Sequence, residues 1–150
     1  MRPTLLLALL CLFLPLPAAA SEIVEAVIFT RTGEVPLRLE VAATPETRRA
    51  GLMHRTSLAP QDGMLFLFPE IGDHAFWMKH TPLPLDMLFL DRECSVVHIE
   101  ADVAPHSLAQ RRSGQPINAV IELDAGRAMQ EGVAVGDKVR YELPEGMEIY

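Results

Sequence analysis

A chain of 150 residues has here only two cysteines, one tryptophan, two tyrosines and two lysines. Each shortage excludes something. Cys11 lies in an apolar N-terminal segment, so in a processed chain Cys94 stands alone and no internal disulfide can form. A lone free cysteine is expected to behave as a small buried hydrophobe. The five histidines include no helical i, i+4 pair and no Cys/His cluster. His74 and His80 fall on one face of an expected strand, but ~20 Å apart along it. Neither a metal nor a cofactor is therefore expected. No serine stands in a Gly-x-Ser-x-Gly elbow. Long basic runs are lacking too. Arg111-Arg112 is too short to offset a formal charge of −7, which disfavours nucleic acid and anionic lipid as partners.

What is present begins with an export signal. Met1-Arg2-Pro3-Thr4 is followed by an apolar run from Leu5 to Leu14 and then by Pro15-Leu16-Pro17-Ala18-Ala19-Ala20. One cation, a short apolar stretch and a small-residue end form a cleavable signal peptide. Pro15 and Pro17 interrupt the run well before the ~20 apolar residues a spanning helix needs. Residues 1–20 are thus expected to be removed before Ser21, leaving residues 21–150 as one domain, periplasmic or secreted, with no membrane span. About 130 residues are enough for a self-sufficient core.

Short strands dominate the rest. Glu22 to Thr30 is rich in β-branched residues, and Thr32-Gly33-Glu34 reads as a turn. Leu37, Leu39 and Val41 alternate with Arg38 and Glu40, the period of a half-buried strand. Thr44-Pro45-Glu46 combines a cap, a proline suited to a first helical position and an acid at the dipole's positive end. Gly51 should end that helix. Gln61-Asp62-Gly63 reads as a turn into the apolar run Met64-Leu65-Phe66-Leu67-Phe68. His74 to His80 reads as a strand stopped by Thr81-Pro82-Leu83-Pro84. Leu85 to Leu90 and Ser95 to Ile99 form a hairpin around Asp91-Arg92-Glu93. Glu100 to Asn118 has no period and reads as a loop. Ala119 to Leu123 is a short strand, Asp124 caps a short helix ending at Gly132, and Val139, Tyr141 and Leu143 mark a last strand. This pattern predicts a mainly β fold: a single compact β-barrel or β-sandwich-like domain with two short helices.

The densest chemistry lies between Ala75 and Asp86. Alternation puts Trp77 and Lys79 on one face and Phe76, Met78 and His80 on the other. An indole beside an ammonium can receive a carboxylate, phosphate or sugar. The bland alternative is that Lys79 pairs with Asp86 or Asp62 while Trp77 is core. The candidate ligand-binding residues are Arg55, Asp62, Trp77, Lys79, His80 and Asp86.

The same stretch carries a resemblance. Gly51-Leu52-Met53 with Arg55 and Leu58, Gly63-Met64-Leu65-Phe66 with Phe68, Phe76-Trp77-Met78-Lys79, Thr81, Pro84-Leu85-Asp86, Glu122-Leu123, Gly126 and Gly136-Asp137 occur in order. In these the chain resembles the family known as domain of unknown function 192. The family usually shows Asn where this chain has His80. The resemblance implies a compact β-rich fold and members that often carry signal peptides. It implies no activity and no catalytic residue.

Three functions compete. The first is a binding module for a small polar or anionic ligand or a cell-envelope partner, resting on the Trp77–Lys79 face and Arg55. The second is a structural or assembly protein with no site. The third is a hydrolase using Asp62, Asp86 or His80 as acid or base. A pocket lined by Trp77, Lys79 and Asp86 favours the first, and mutual pairing of those groups favours the second.

Overall fold

The computed structural model describes residues 22–59 and 62–150. The expected signal peptide and its cleavage point lie outside them, as does Gln61 of the expected turn. The chain runs β1 (Ile23–Thr30), β2 (Gly33–Ala42), α1 (Pro45–Ala50), β3 (Asp62–Gly72), β4 (Leu85–Leu90), β5 (Val96–Val103), β6 (Ile117–Asp124), α2 (Arg127–Gln130) and β7 (Lys138–Tyr141). The seven strands form one sheet in the order β5-β4-β6-β3-β2-β1-β7. Only β2 and β3 pair in parallel, which requires a crossover rather than a tight turn; α1 lies in that crossover. The sheet curls until its edges meet. Ser95 bridges Lys138, the Val96 N–H donates to the Asp137 carbonyl at 2.9 Å, and the Val139 N–H donates to that of Cys94 at 2.8 Å. A mainly β, barrel-like domain with two short helices is what the sequence pattern predicted.

Both faces of the sheet are covered. Alternate residues of all seven strands, among them Ile28, Leu39, Leu65, Leu88, Ile121 and Val139, meet in a first core on the concave side. The opposite face of β3, β4 and β6 carries a second core built on Phe66, Met87, Phe89 and Val120, which Leu52, Phe76 and Met78 cover. This is why β3, β4 and β6 read as nearly unbroken apolar runs instead of alternating ones. Gly63 is required by a close approach. A Cβ there would lie 2.5 Å from the Glu122 carbonyl oxygen and 2.7 Å from Leu123 Cδ2.

Helix α1 starts as its sequence dictates. Thr44 and Thr47 exchange capping bonds, with Thr47 N–H donating to Thr44 Oγ1 at 3.2 Å and Thr44 N–H to Thr47 Oγ1 at 2.9 Å. Gly51 closes it at a φ of 45°, a conformation that favours glycine.

Four expectations need correction. Residues 74–80 are not a strand of the sheet. They make one bridge, between Phe76 and Arg111, and one further bond from Met78 N–H to the Ser107 carbonyl at 2.8 Å. The segment is extended only as far as Met78, because His80 takes a left-handed φ of 54°. Alternation still holds locally, with Phe76 and Met78 buried and Trp77 exposed. Second, the aperiodic stretch is shorter than Glu100 to Asn118, since β5 continues to Val103 and β6 begins at Ile117. Third, Asp124 does not cap α2; Gly126 occupies that position with no side-chain cap of its own. Fourth, Cys94 is half-buried. It turns the β4–β5 hairpin at a left-handed φ of 56°, with Sγ 3.9 Å from the Tyr141 hydroxyl.

Candidate functional site

A cleft of about 340 Å³ opens on the second face of the sheet. Its floor is β3 and β6, through Phe66, Phe68 and Glu122. One wall is the end of α1 and the turn after it, Arg48 to Met53. The other is Ala75, Phe76, Trp77 and Thr81, with Gln110 reaching in from the loop beyond β5. Phe76 stands edge-on to Phe66 at 5.0 Å and to Phe68 at 6.0 Å between centroids, an arrangement ring quadrupoles favour.

Glu122 is the one acid in this lining. Sheet register explains its surroundings. It lies opposite Met64 on β3 and Met87 on β4. Beyond Met64 comes Glu40, and beyond Met87 comes Glu100. One row across the sheet thus reads Glu40, Met64, Glu122, Met87, Glu100. The outer two acids have partners: Glu40 takes a two-bond grip from Arg55 at 2.6 Å, and Glu100 meets His98 at 3.1 Å. The middle one is 4 % exposed, and its carboxyl makes no hydrogen bond or ion pair with a described residue. Burial among apolar groups pushes this carboxyl up to about 8, because the charged form loses its water and gains no counter-charge.

The cations at the mouth are committed or outward. Arg48 donates to the carbonyls of Ala43 at 2.7 Å, Leu67 at 2.8 Å and Tyr150, and its guanidinium lies 5.2 Å from the Phe68 centroid. Desolvation lowers its pKa. Arg49 is exposed at the rim.

Of the six candidate residues, the structure brings only Trp77 to the cleft, where it forms the lip and is 47 % exposed. Lys79 lies over the same indole at 5.3 Å and forms no ion pair with any described carboxylate. His80 stacks on His54 at 5.5 Å. Arg55 is held by Glu40, and that hydrogen bond raises its pKa. Asp62 lies 3.5 Å from Arg38.

Asp86 is fully buried on the concave side, where it serves α2. Its Oδ1 accepts N–H bonds from Asp102 at 2.8 Å and Gly126 at 3.1 Å, and its Oδ2 accepts one from Ala128 at 2.9 Å. The expected Lys79–Asp86 contact is therefore replaced by a carboxylate capping a helix from another strand. Sequence reasoning missed Glu122 as a site residue. Its signal was an acid inside the run Ala119 to Leu123, whose neighbours on both faces are apolar. Among the described residues no group of three or more His, Cys, Asp or Glu side chains could hold a metal ion.

Fold and site together define a curled β-sheet domain with a ligand-sized, largely apolar cleft over one buried carboxyl. The chain belongs to the DUF192 family, described as "Uncharacterized ACR", which matches residues 27–141. No curated protein matches it. It is similar to a crystal structure from Sinorhizobium meliloti 1021 titled a "putative transcription regulator", with 36% identity, a TM-score of 0.79, and coverage of 83% of this chain and 97% of that one. It is also similar to a protein of unknown function from Novosphingobium aromaticivorans DSM 12444, with 33% identity, a TM-score of 0.79, and coverage of 83% and 89%. The cleft is lined by residues that carry the family resemblance, including Leu52, Met53, Phe66, Phe76, Thr81 and Glu122.

Proposed function

We propose that the protein is an exported binding module whose cleft takes a small molecule, its apolar body against Phe66 and Phe76 and its polar head against Glu122. The observation that carries this reading is the buried, unpartnered carboxyl at the floor of an apolar cleft of about 340 Å³. A carboxyl with no protein partner at the floor of an apolar cleft is costly to ionise, and a perturbed acid in a concave apolar site marks a candidate functional one. A purely structural role accounts for Asp86, which is saturated by backbone donors, but gives Glu122 no purpose. Hydrolysis finds less support. No second carboxylate, histidine or cysteine lines the cleft among the described residues, so a partner for acid–base work is lacking. The transcription-regulator label belongs to the Sinorhizobium protein, and a net charge of −7 here opposes a nucleic-acid surface. Export rests on the pattern of residues 1–20, and a mature chain whose intact mass begins at Ser21 would support it.

Trp77 is the sole tryptophan, and it forms the lip of the cleft. Its emission therefore reports occupancy directly. A fragment titration should give saturable changes in Trp77 emission that are lost in Ala50→Phe or Ala75→Phe variants, whose side chains fill the cleft. Saturable binding that survives both fillings would place the ligand elsewhere and refute the proposal.

A further inference from the structure

The row of acids across the sheet poses a question of charge balance. Glu40 and Glu100 are each matched by a cation or an imidazole of the protein, whereas Glu122 between them is not. The elements packed around it do not supply a match. Strands β3 and β4 face it with Met64 and Met87. The wall from Ala75 to Thr81 lines the cleft with no charged group, and the loop beyond β5 offers Gln110. Helix α1 contributes Arg48, which spends three N–H bonds on the backbone oxygens of Ala43, Leu67 and Tyr150, and Arg49, which is exposed. The rings around the cleft already hold cations. The Arg48 guanidinium lies over Phe68 at 5.2 Å, and the Lys79 ammonium over Trp77 at 5.3 Å.

We infer that the cleft takes an organic cation, an ammonium on a small apolar or aromatic skeleton, with the Glu122 carboxylate as its counter-ion and Phe66, Phe76 and Trp77 as its aromatic walls. This deepens the binding reading and rests on it. Aromatic faces attract ammonium groups, most strongly where water is excluded, and a buried carboxylate is tolerated when it is paired. Once Glu122 is ionised, above about pH 8, an anion meets its repulsion and a neutral molecule leaves the carboxylate unpaired. Binding also moves a proton. Near neutral pH the free protein carries Glu122 as the acid, since burial holds it at about 8. Pairing with a cation requires the carboxylate, so the carboxyl proton passes to the buffer as the cation enters.

The test uses benzyltrimethylammonium, whose charge does not titrate, against benzyl alcohol and phenylacetate as neutral and anionic counterparts. Each is followed by calorimetry and Trp77 emission from pH 6 to 9. The cation should bind most tightly, its association constant rising about tenfold per pH unit up to ~8 and then levelling, as single-proton linkage requires. Close to one proton per ligand should be released at pH 6.5, read from buffers of different ionisation enthalpy. Glu122→Gln should weaken cation binding at pH 9 by tenfold or more and flatten the pH profile. The proton release is measured on the unaltered protein, so it stands whatever the variant does. Equal or tighter binding of phenylacetate or benzyl alcohol, with Trp77 responding, overturns the cation inference and leaves the binding cleft intact. Cation binding without proton release, or unchanged in Glu122→Gln, overturns it as well. Silence of Trp77 to all three probes overturns both readings.

Discussion

Replacing Glu122 with glutamine should make the protein more stable, and increasingly so as pH rises. In the unfolded chain this carboxyl titrates near its ordinary value of 4.5, and in the folded domain near 8. Below pH 4.5 both states hold the proton and the group contributes nothing to pH dependence. Between 4.5 and 8 the unfolded chain has released its proton while the folded domain keeps it. Unfolding is then favoured by about 1.4 kcal/mol for each pH unit. Above 8 both states are ionised and the loss is constant, at about 5 kcal/mol in total. Glutamine is close in shape and carries no titrating proton, so the variant lacks this decline. Urea unfolding at pH 5, 7 and 9 should show the variant gaining about 3 kcal/mol over the parent from pH 5 to 7 and about 1 more by pH 9. In thermal melts each kcal/mol moves the midpoint of a domain this size by about 4 °C. Every other titrating group is common to both proteins and cancels in the difference. A difference between the two that stays constant across this range would refute the claim that Glu122 is buried without a partner.

Three further outcomes follow from the packing. Asp86→Ala strips acceptors from the N–H groups of Asp102, Gly126 and Ala128. It should cost at least about 3 kcal/mol, whereas Asp86→Asn, which keeps Oδ1, should cost markedly less; urea midpoints compare them. Gly63→Ala drives a Cβ to 2.5 Å from the Glu122 carbonyl, and overpacking there should cost about 1–3 kcal/mol, read from thermal melts. Lys79→Met removes an ammonium that has no carboxylate partner among the described residues, so its stability should stay within about 0.5 kcal/mol of the parent. A large loss in that variant would restore the buried-pair view of Lys79.

Much of the architecture was legible because it is written in local terms. Thr44-Pro45 announces a helix through groups three residues apart. The alternation of Leu37, Leu39 and Val41 sets the buried face of β2, and a net charge of −7 belongs to the composition alone. Even the placing of Trp77 opposite Phe76 and Met78 followed from a period of two, although the segment is not a strand of the sheet and the period left open which face is buried. What failed were inferences across distance. Lys79 and Asp86 are close in sequence and share one motif, yet Asp86 is claimed by donors on β5 and at α2, 16, 40 and 42 residues away. Glu122 looked like one polar residue in a short strand, because a sequence does not say whether the far face of a sheet is wet or covered. Only the tertiary fold decides that. It lays the segments after α1 and before β4 across β3, β4 and β6, covering the face on which Glu122 lies except at the cleft. The same fold supplies Arg55 to Glu40 and His98 to Glu100 and leaves the acid between them unmatched, which raises its pKa.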